Sequence, residues 1–380
     1  MSKTTIIFEK DQIINDLIRI YNIVPSKPLV PIHDYYLFHV VDMHTCHIYA
    51  SDATMTIRAT AQVQADADNF RFCIPAKLFT ETVKLLHEPT FTLTVKDNVC
   101  QLKSGKSKFK LPTENPDFFV MIEEGAQKSE VSILGLQFKD AFRVASSFIN
   151  KKQDTALKNV NLSIRDNKLV VIGGQTVCLS KNNIAPHSLT SFEETSIPLG
   201  TAKILQTLFQ DKDIVDVYHD GRTAMVSNSS LKLIFTLFVG KYPNTSTLFS
   251  RDKCQYFRIS TSYLLEAVKR VELYSEEGSY QSIFTISAEN LSITTDAPES
   301  GKAAEEHLEI ISPQEFTVAL PSNQLIEVLS SLTDQDTLNT ESIRFYMPDT
   351  PKKPIIITDD SDSPSREFLI SPMMINKPKP

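Results

Sequence analysis

A chain of 380 residues and 42.8 kDa is too long for one hydrophobic core and suits two or three domains of ordinary size. Its 41% apolar and 22% charged residues are a globular composition, and no apolar run approaches the roughly 18 residues that a membrane span needs. A net charge of −7 excludes a uniformly basic nucleic-acid binder, so any contact with DNA has to come from how Lys and Arg are distributed. The amino-terminal MSKTTIIFEKDQ has none of the segments of a signal peptide, and a soluble, cytoplasmic protein is expected. Five scattered cysteines without a CxxC pair (Cys46, Cys73, Cys100, Cys178, Cys254) point to reduced, mostly buried thiols rather than disulfides or structural zinc.

Along the chain, the first predicted helix carries Ile13, Leu17 and Ile20 on one face. Alternating strands follow (46–63), then the strand FRFCIP (70–75), a helix from Pro75 and a second group of strands (91–111). The order then returns: a helix with Phe138, Phe142 and Ala145, strands at 159–172, ETSIP (194–198), a helix from Pro198 and strands at 215–237. It returns once more with Leu264, Val268 and Val271, strands at 281–295, FTVALP (316–321), a helix from Pro321 and strands at 342–360. The prolines are spaced by 123 residues each time (198 − 75 and 321 − 198), and Leu86, Phe209 and Leu332 each lie eleven residues beyond one of them. Proline suits a first helical turn, where its fixed φ fits and its missing N–H is not needed. The apolar columns of the first helices recur at offsets of 125 and 126. The residues therefore predict an α+β fold of three repeated domains, each with two amphipathic helices on antiparallel sheet, at 1–127, 128–250 and 251–380.

Four segments carry a resemblance to a known family: Lys27-Pro-Leu-Val-Pro31-Ile, SGKSKFKLPTENPDFF (104–119), LSITTDAPESGKAAEEHLEI (291–310) and the terminal FLISPMMI (368–375). In this order and spacing the chain resembles the bacterial sliding clamp, the β subunit of DNA polymerase III. The resemblance implies a homodimer of two crescents closed head to tail into a ring. Duplex DNA passes through it without sequence readout, and a peptide cleft takes the replicative polymerase, the clamp loader and other proteins with clamp-binding motifs. It implies no enzyme activity and no cofactor.

In that context the DNA-facing candidates are Arg19, Lys77, Lys84, Lys139, Arg143, Lys151, Lys152, Lys203, Lys269 and Arg270, with Lys27 and Gln153 at positions where the family contacts DNA. Arg143 and Lys269 share one helix column, and Arg19 and Arg270 share the next; Asp16, Asp140, Glu266 and Glu272 on the same helices make the expected positive surface patchy. Carried over by motif, the cleft consists of Leu157, Val177, Pro243, Leu248, Leu369, Ile370, Pro372, Met373, Met374 and Ile375, where flexible thioethers suit varied peptides. Gly173-Gly174-Gln175-Thr176 and Thr245-Ser246-Thr247 stand where the family has a more basic pattern, so a less basic rim is expected. Removing the chain from Phe368 onward is expected to abolish peptide binding and to leave the fold. The dimer contact would join Phe109 and Leu111 to Leu273 and Tyr274, with Lys106 and Lys108 facing Glu276 and Glu277.

Other signals carry less. His39, His44, Cys46 and His47 lie in one hairpin, with alternation sending His44 and Cys46 to one face and His47 to the other. Asp359, Asp360 and Asp362 sit in a serine-rich loop, and no GxxxxGK(S/T), GxSxG or HExxH motif occurs. A non-DNA interaction scaffold built on the same repeat, and an enzyme with a site assembled from distant carboxylates, remain as alternatives at this level.

Overall fold

In each third of the chain the hydrophobic period switches between 2 and 3.6 residues, and the elements switch with it. A computed structural model describes residues 3–125, 129–150, 152, 156–297, 301–333 and 340–375. The first third runs β1 (Thr4–Glu9), α1 (Lys10–Tyr21), β2 (Tyr35–Val40), β3 (Thr45–Ser51), β4 (Met55–Ala65), β5 (Phe70–Pro75), α2 (Ala76–Lys84), β6 (Thr90–Lys96), β7 (Val99–Ser104) and β8 (Ser107–Pro112). The second runs β9 (Ser129–Leu134), α3 (Gly135–Ser147), β10 (Asn159–Arg165), β11 (Lys168–Gln175), β12 (Cys178–Ile184), β13 (Ser188–Ser191), β14 (Thr195–Pro198), α4 (Leu199–Leu208), β15 (Ile214–His219), β16 (Thr223–Ser227) and β17 (Leu231–Thr236). The third runs β18 (Gln255–Ser260), α5 (Thr261–Glu272), β19 (Gln281–Ile286), β20 (Asn290–Ala297), β21 (Lys302–Glu309), β22 (Phe316–Pro321), α6 (Ser322–Leu332), β23 (Ser342–Met347), β24 (Ile355–Asp359) and β25 (Arg366–Ile370).

Strand, helix, four strands, helix, three strands is thus written three times, with β13 as the one addition. All nine residues of the predicted helix columns are buried. Pro75 and Pro321 differ slightly from expectation: each keeps an extended ψ at the N-cap, and the helix begins one residue later. No helix among the described residues is long and apolar enough to cross a membrane.

By spatial contact the chain forms two compact units. The first comprises Met1–Gly135, His187–Glu193 and Lys203–Val239. It holds a 13-stranded sheet in which β17, from the middle third, pairs antiparallel with β4 from the first, Leu233 opposite Ile57. Its core is aromatic: Phe8 stacks on Phe91 at 5.2 Å and Phe38 on Phe72 at 5.0 Å. Lys10 at the start of α1 donates to the carbonyl oxygens of Lys84 and Leu86, which satisfies acceptors that the end of α2 leaves open.

The second unit comprises Leu136–Pro186, Glu194–Ala202 and Gly240–Pro380. It holds an eight-stranded sheet, β14-β10-β11-β12-β25-β24-β23-β18, and a four-stranded sheet, β21-β20-β19-β22. Cys178, Phe345, Ile355, Ile357, Phe368 and Ile370 point to the helix side, where they pack with α5, α6, Val144 of α3 and Phe148 just beyond it. Gly173 belongs to this contact: a Cβ there would lie 2.1 Å from the backbone oxygen of Ala145 in α3, so the glycine permits close helix-to-sheet approach. Arg366, buried on β25, pairs with Asp140 of α3 and donates to the Ser331 carbonyl oxygen of α6. Loss of hydration lowers the pKa of this guanidinium to about 10.

Two expectations fail here. Ile370 is fully buried in the core and does not line a surface cleft. Removal from Phe368 onward would not spare the fold either, because β25 is an interior strand between β12 and β24.

Candidate functional site

The outer face of the eight-stranded sheet is read from its register. Directly opposed residues share a face, which places Leu179, Leu369, Ile356, Tyr346 and Tyr256 in one row. Lys181, Glu367, Thr358, Arg344 and Arg258 form the next. Alternation therefore sends Leu369 outward while Phe368 and Ile370 go inward.

A strap of residues 240–254 runs over this face. Tyr242 packs on Val170 and Ile172, and Phe249 packs on Leu179 and Leu369; Leu157 touches both clusters and so lies between the two anchors. Between the anchors the strap folds through local turns. Asn244 Oδ1 accepts from the backbone N–H and the hydroxyl of Ser246, and the Leu248 N–H donates to the Thr245 carbonyl at 3.1 Å. Thr245-Ser246-Thr247 thus builds the turn itself rather than a charged rim. Pro243 and Leu248 stand exposed on the strap and Val177 on the β11–β12 turn. Leu369, 2% exposed, is floor beneath Phe249 rather than wall.

After β25 the Ser371 N–H donates to the Val177 carbonyl, keeping the terminal segment beside the turn. Pro372 and Met373 are half-buried; the Met373 N–H pairs with the Ala319 carbonyl of β22, and Gln281 donates to the Met374 carbonyl. The side chains of Met374 and Ile375 remain exposed. Fixed backbone beneath free apolar side chains gives an adaptable apolar surface that costs little ordering.

The residues that the motif did not reveal are Tyr242, Phe249, Lys181, Arg251 and Glu367. The available signal was two aromatics flanking a turn-forming polar run, together with the shared outward phase of Leu179 and Lys181 in β12.

The basic candidates divide. Lys27 and Lys77 in the first unit, and Lys269 in the second, are exposed with no carboxylate at ion-pair distance among the described residues. Lys152 and Lys203 are exposed and Lys139 half-exposed. Four others are partly neutralised: Arg19 pairs with Asp16 at 3.0 Å, Lys84 with Glu81 at 2.8 Å, Arg143 with Asp140 at 2.7 Å and Arg270 with Glu306 at 2.6 Å. Each of these four cations already meets a carboxylate, so part of its charge is offset within the chain. Lys151 and Gln153 lie outside the described residues.

Two sheet edges matter as well. β8 ends the 13-stranded sheet and exposes Ser107 to Lys110, including Phe109 at 40%, while Leu111 is buried in the core of its unit and cannot serve as a contact side chain. β21 ends the four-stranded sheet and carries Glu305, Glu306 and Glu309. Leu273 and Tyr274, just beyond α5, are exposed.

Among the described residues no group of three His, Cys, Asp or Glu is placed to hold a metal ion. His44 lies in the β2–β3 turn, not in the strand, so it does not share the buried face of Cys46. His39 and His47 are cross-strand neighbours with ring centroids 6.4 Å apart. Burial, with Arg58, His39 and Lys232 nearby, lowers the pKa of His47 to about 4.

Comparison with known proteins decides among the readings. The family model described as DNA polymerase III beta subunit, N-terminal domain, matches residues 4–122, and its C-terminal domain counterpart matches 246–374. The chain belongs to the bacterial β sliding clamp family. Members are processivity factors of the replicative polymerase and non-catalytic accessory subunits, which replaces the enzyme alternative. The β sliding clamp of Chlamydia muridarum is 20% identical over 97% of this chain and 99% of its own length, and that of Halalkalibacterium halodurans 22% over 88% and 91%. The Pseudomonas aeruginosa sliding clamp bound to griselimycin superposes with a TM-score of 0.88 at 17% identity, over 98% of this chain and all of that one. The Bacillus subtilis clamp gives 0.86 at 18%, over 99% and 100%. At these identities the clamp fold is kept.

Proposed function

We propose that the chain closes head to tail with a second copy into a ring around duplex DNA, in the cytoplasm. In this reading the ring slides without sequence readout and tethers the replicative polymerase, the clamp loader and other proteins with clamp-binding motifs. The domains are those of the threefold repeat, divided near residues 127 and 250.

The observation that carries this reading is the pair of free sheet edges of opposite charge. β8, with Lys103, Lys106, Lys108 and Lys110 around it, offers unpaired backbone groups; β21 offers the same with Glu305 and Glu309, while Glu306 already meets Arg270. Joining them continues the sheet and pairs opposite charges, with Phe109 meeting Leu273 and Tyr274 as the apolar part. Exposed Lys27, Lys77 and Lys269 support weak phosphate contact, which suits a protein held by topology rather than by affinity. In this reading the apolar surface of Leu157, Val177, Pro243 and Leu248, to which the Ser371–Val177 hydrogen bond ties Pro372 to Ile375, forms a groove for short apolar peptides.

Sedimentation equilibrium tests closure. The expected mass is twice 42.8 kDa, falling toward 42.8 kDa in Phe109→Asp. A native monomer at micromolar concentration, or a dimer indifferent to Phe109→Asp, overturns it.

A further inference from the structure

The strap has three anchors, and the third differs in kind from Tyr242 and Phe249. Glu367 on β25 is 3% exposed, on the same outer face as the groove floor. Its Oε1 accepts from Lys181 Nζ at 2.6 Å and Asn183 Nδ2 at 3.0 Å, and its Oε2 accepts from Arg251 Nη2 of the strap at 2.5 Å. Lys181 Nζ in turn lies 5.4 Å from the centre of the Phe249 ring, and the Arg251 guanidinium 5.1 Å from that of Tyr346. A buried carboxylate is costly unless its hydration is replaced, and here one carboxylate gathers a strand cation, a strap cation and an amide.

We propose that Glu367 is a positioning residue for the peptide groove: through Arg251 and Lys181 it latches the strap and seats Phe249 over Leu179 and Leu369, which places Leu248 and Pro243 as the groove wall. The inference rests on the groove being the peptide site. Lys181 and Arg251 keep 16% and 27% of their side-chain surface exposed, so each can turn to water when the carboxylate is neutralised. The sheet beneath is fixed independently by its ladders on both sides of β25. Loss of the latch therefore unseats the strap and leaves the sheet. Nothing in the clamp-like motifs marks this position, because the three groups lie far apart in sequence.

The test uses the full chain with Glu367→Gln and Arg251→Gln, singly and together, and a fluorescein-labelled peptide carrying the clamp-binding segment of the replicative polymerase. If the strap is seated in roughly a tenth of the variant molecules, affinity falls about tenfold, because apparent affinity scales with the competent fraction. The double variant is expected to bind no worse than Glu367→Gln alone, since that change already removes the carboxylate that Arg251 meets. Backbone hydrogen exchange is expected to rise in 240–254 and to stay unchanged in β12 and β24. Unaltered affinity in Glu367→Gln, or exchange raised equally through β12 and β24, overturns the latch. Failure of the native chain to bind the peptide refutes the groove reading instead, and the exchange pattern alone then decides the latch.

Discussion

At the scale of single residues the acidic groups are set by what replaces their water. Burial opposes ionisation of Glu367, but Lys181, Arg251 and Asn183 outweigh it and hold its pKa below the ordinary glutamate value. Asp16 shows the opposite balance: burial dominates over Arg19, and its pKa is raised. Glu367 therefore contributes stability that is present above its unfolded pKa and is lost as pH falls through the lower folded value. His47 acts in a different window. Its folded pKa of about 4 lies below the ordinary 6.5, so the unfolded chain binds the extra proton between those values and stability falls as pH drops through them. An NMR titration should find His47 protonating near pH 4; a midpoint at 6.5 contradicts the burial argument. Among the cations, Lys77→Gln and Lys269→Gln should each lower the slope of log affinity for duplex DNA against log salt by about 1. Arg19→Gln, whose charge is already shared with Asp16, should change it less. Equal slopes for all three variants would remove the distinction between free and paired cations.

At the scale of elements, the strands and helices were legible because their periods and prolines repeat, and the three copies constrain one another. Partner choice across the sheets was not. That β17 joins β4 and β12 joins β25 depends on pairings between residues more than 150 positions apart, which no local pattern encodes. The same limit misplaced Ile370: FLISPMMI reads as one apolar tail, but alternation within β25 divides it into core, floor and surface. Leu111 follows the same rule beside Phe109. Truncation after Ser371 should therefore abolish peptide binding and preserve cooperative unfolding, because β25 is retained. Truncation before Phe368 should unfold the second unit; a folded product with an intact sheet, seen by circular dichroism and exchange, would contradict the assigned topology. Arg366→Gln removes the buried donor shared by Asp140 and Ser331, while Arg143 still meets Asp140, and should cost roughly 2 kcal/mol in denaturant unfolding. A change within experimental error would show that Arg366 is not what joins α3 and α6 to β25.

At the scale of the whole molecule, threefold repetition accounts for the fold, and divergence between the copies accounts for the specialised surfaces. Among the described residues the first copy alone presents the lysine-rich terminal strand, and the third alone presents the glutamate-bearing edge and the apolar tail. The strap that walls the groove is the connection between the second copy and the third. A net charge of −7 is compatible with DNA inside a ring because sliding needs few phosphate contacts, and a net repulsion discourages tight, immobile binding. Encirclement is the central claim, and topology tests it apart from affinity. The chain is loaded by its own clamp loader onto nicked circular DNA, passed through gel filtration at moderate salt, and the circle is then cut once. Co-elution with the circle and release on linearisation is the predicted result; equal retention on circular and linear DNA, or none on either, would contradict a ring that holds DNA by enclosing it.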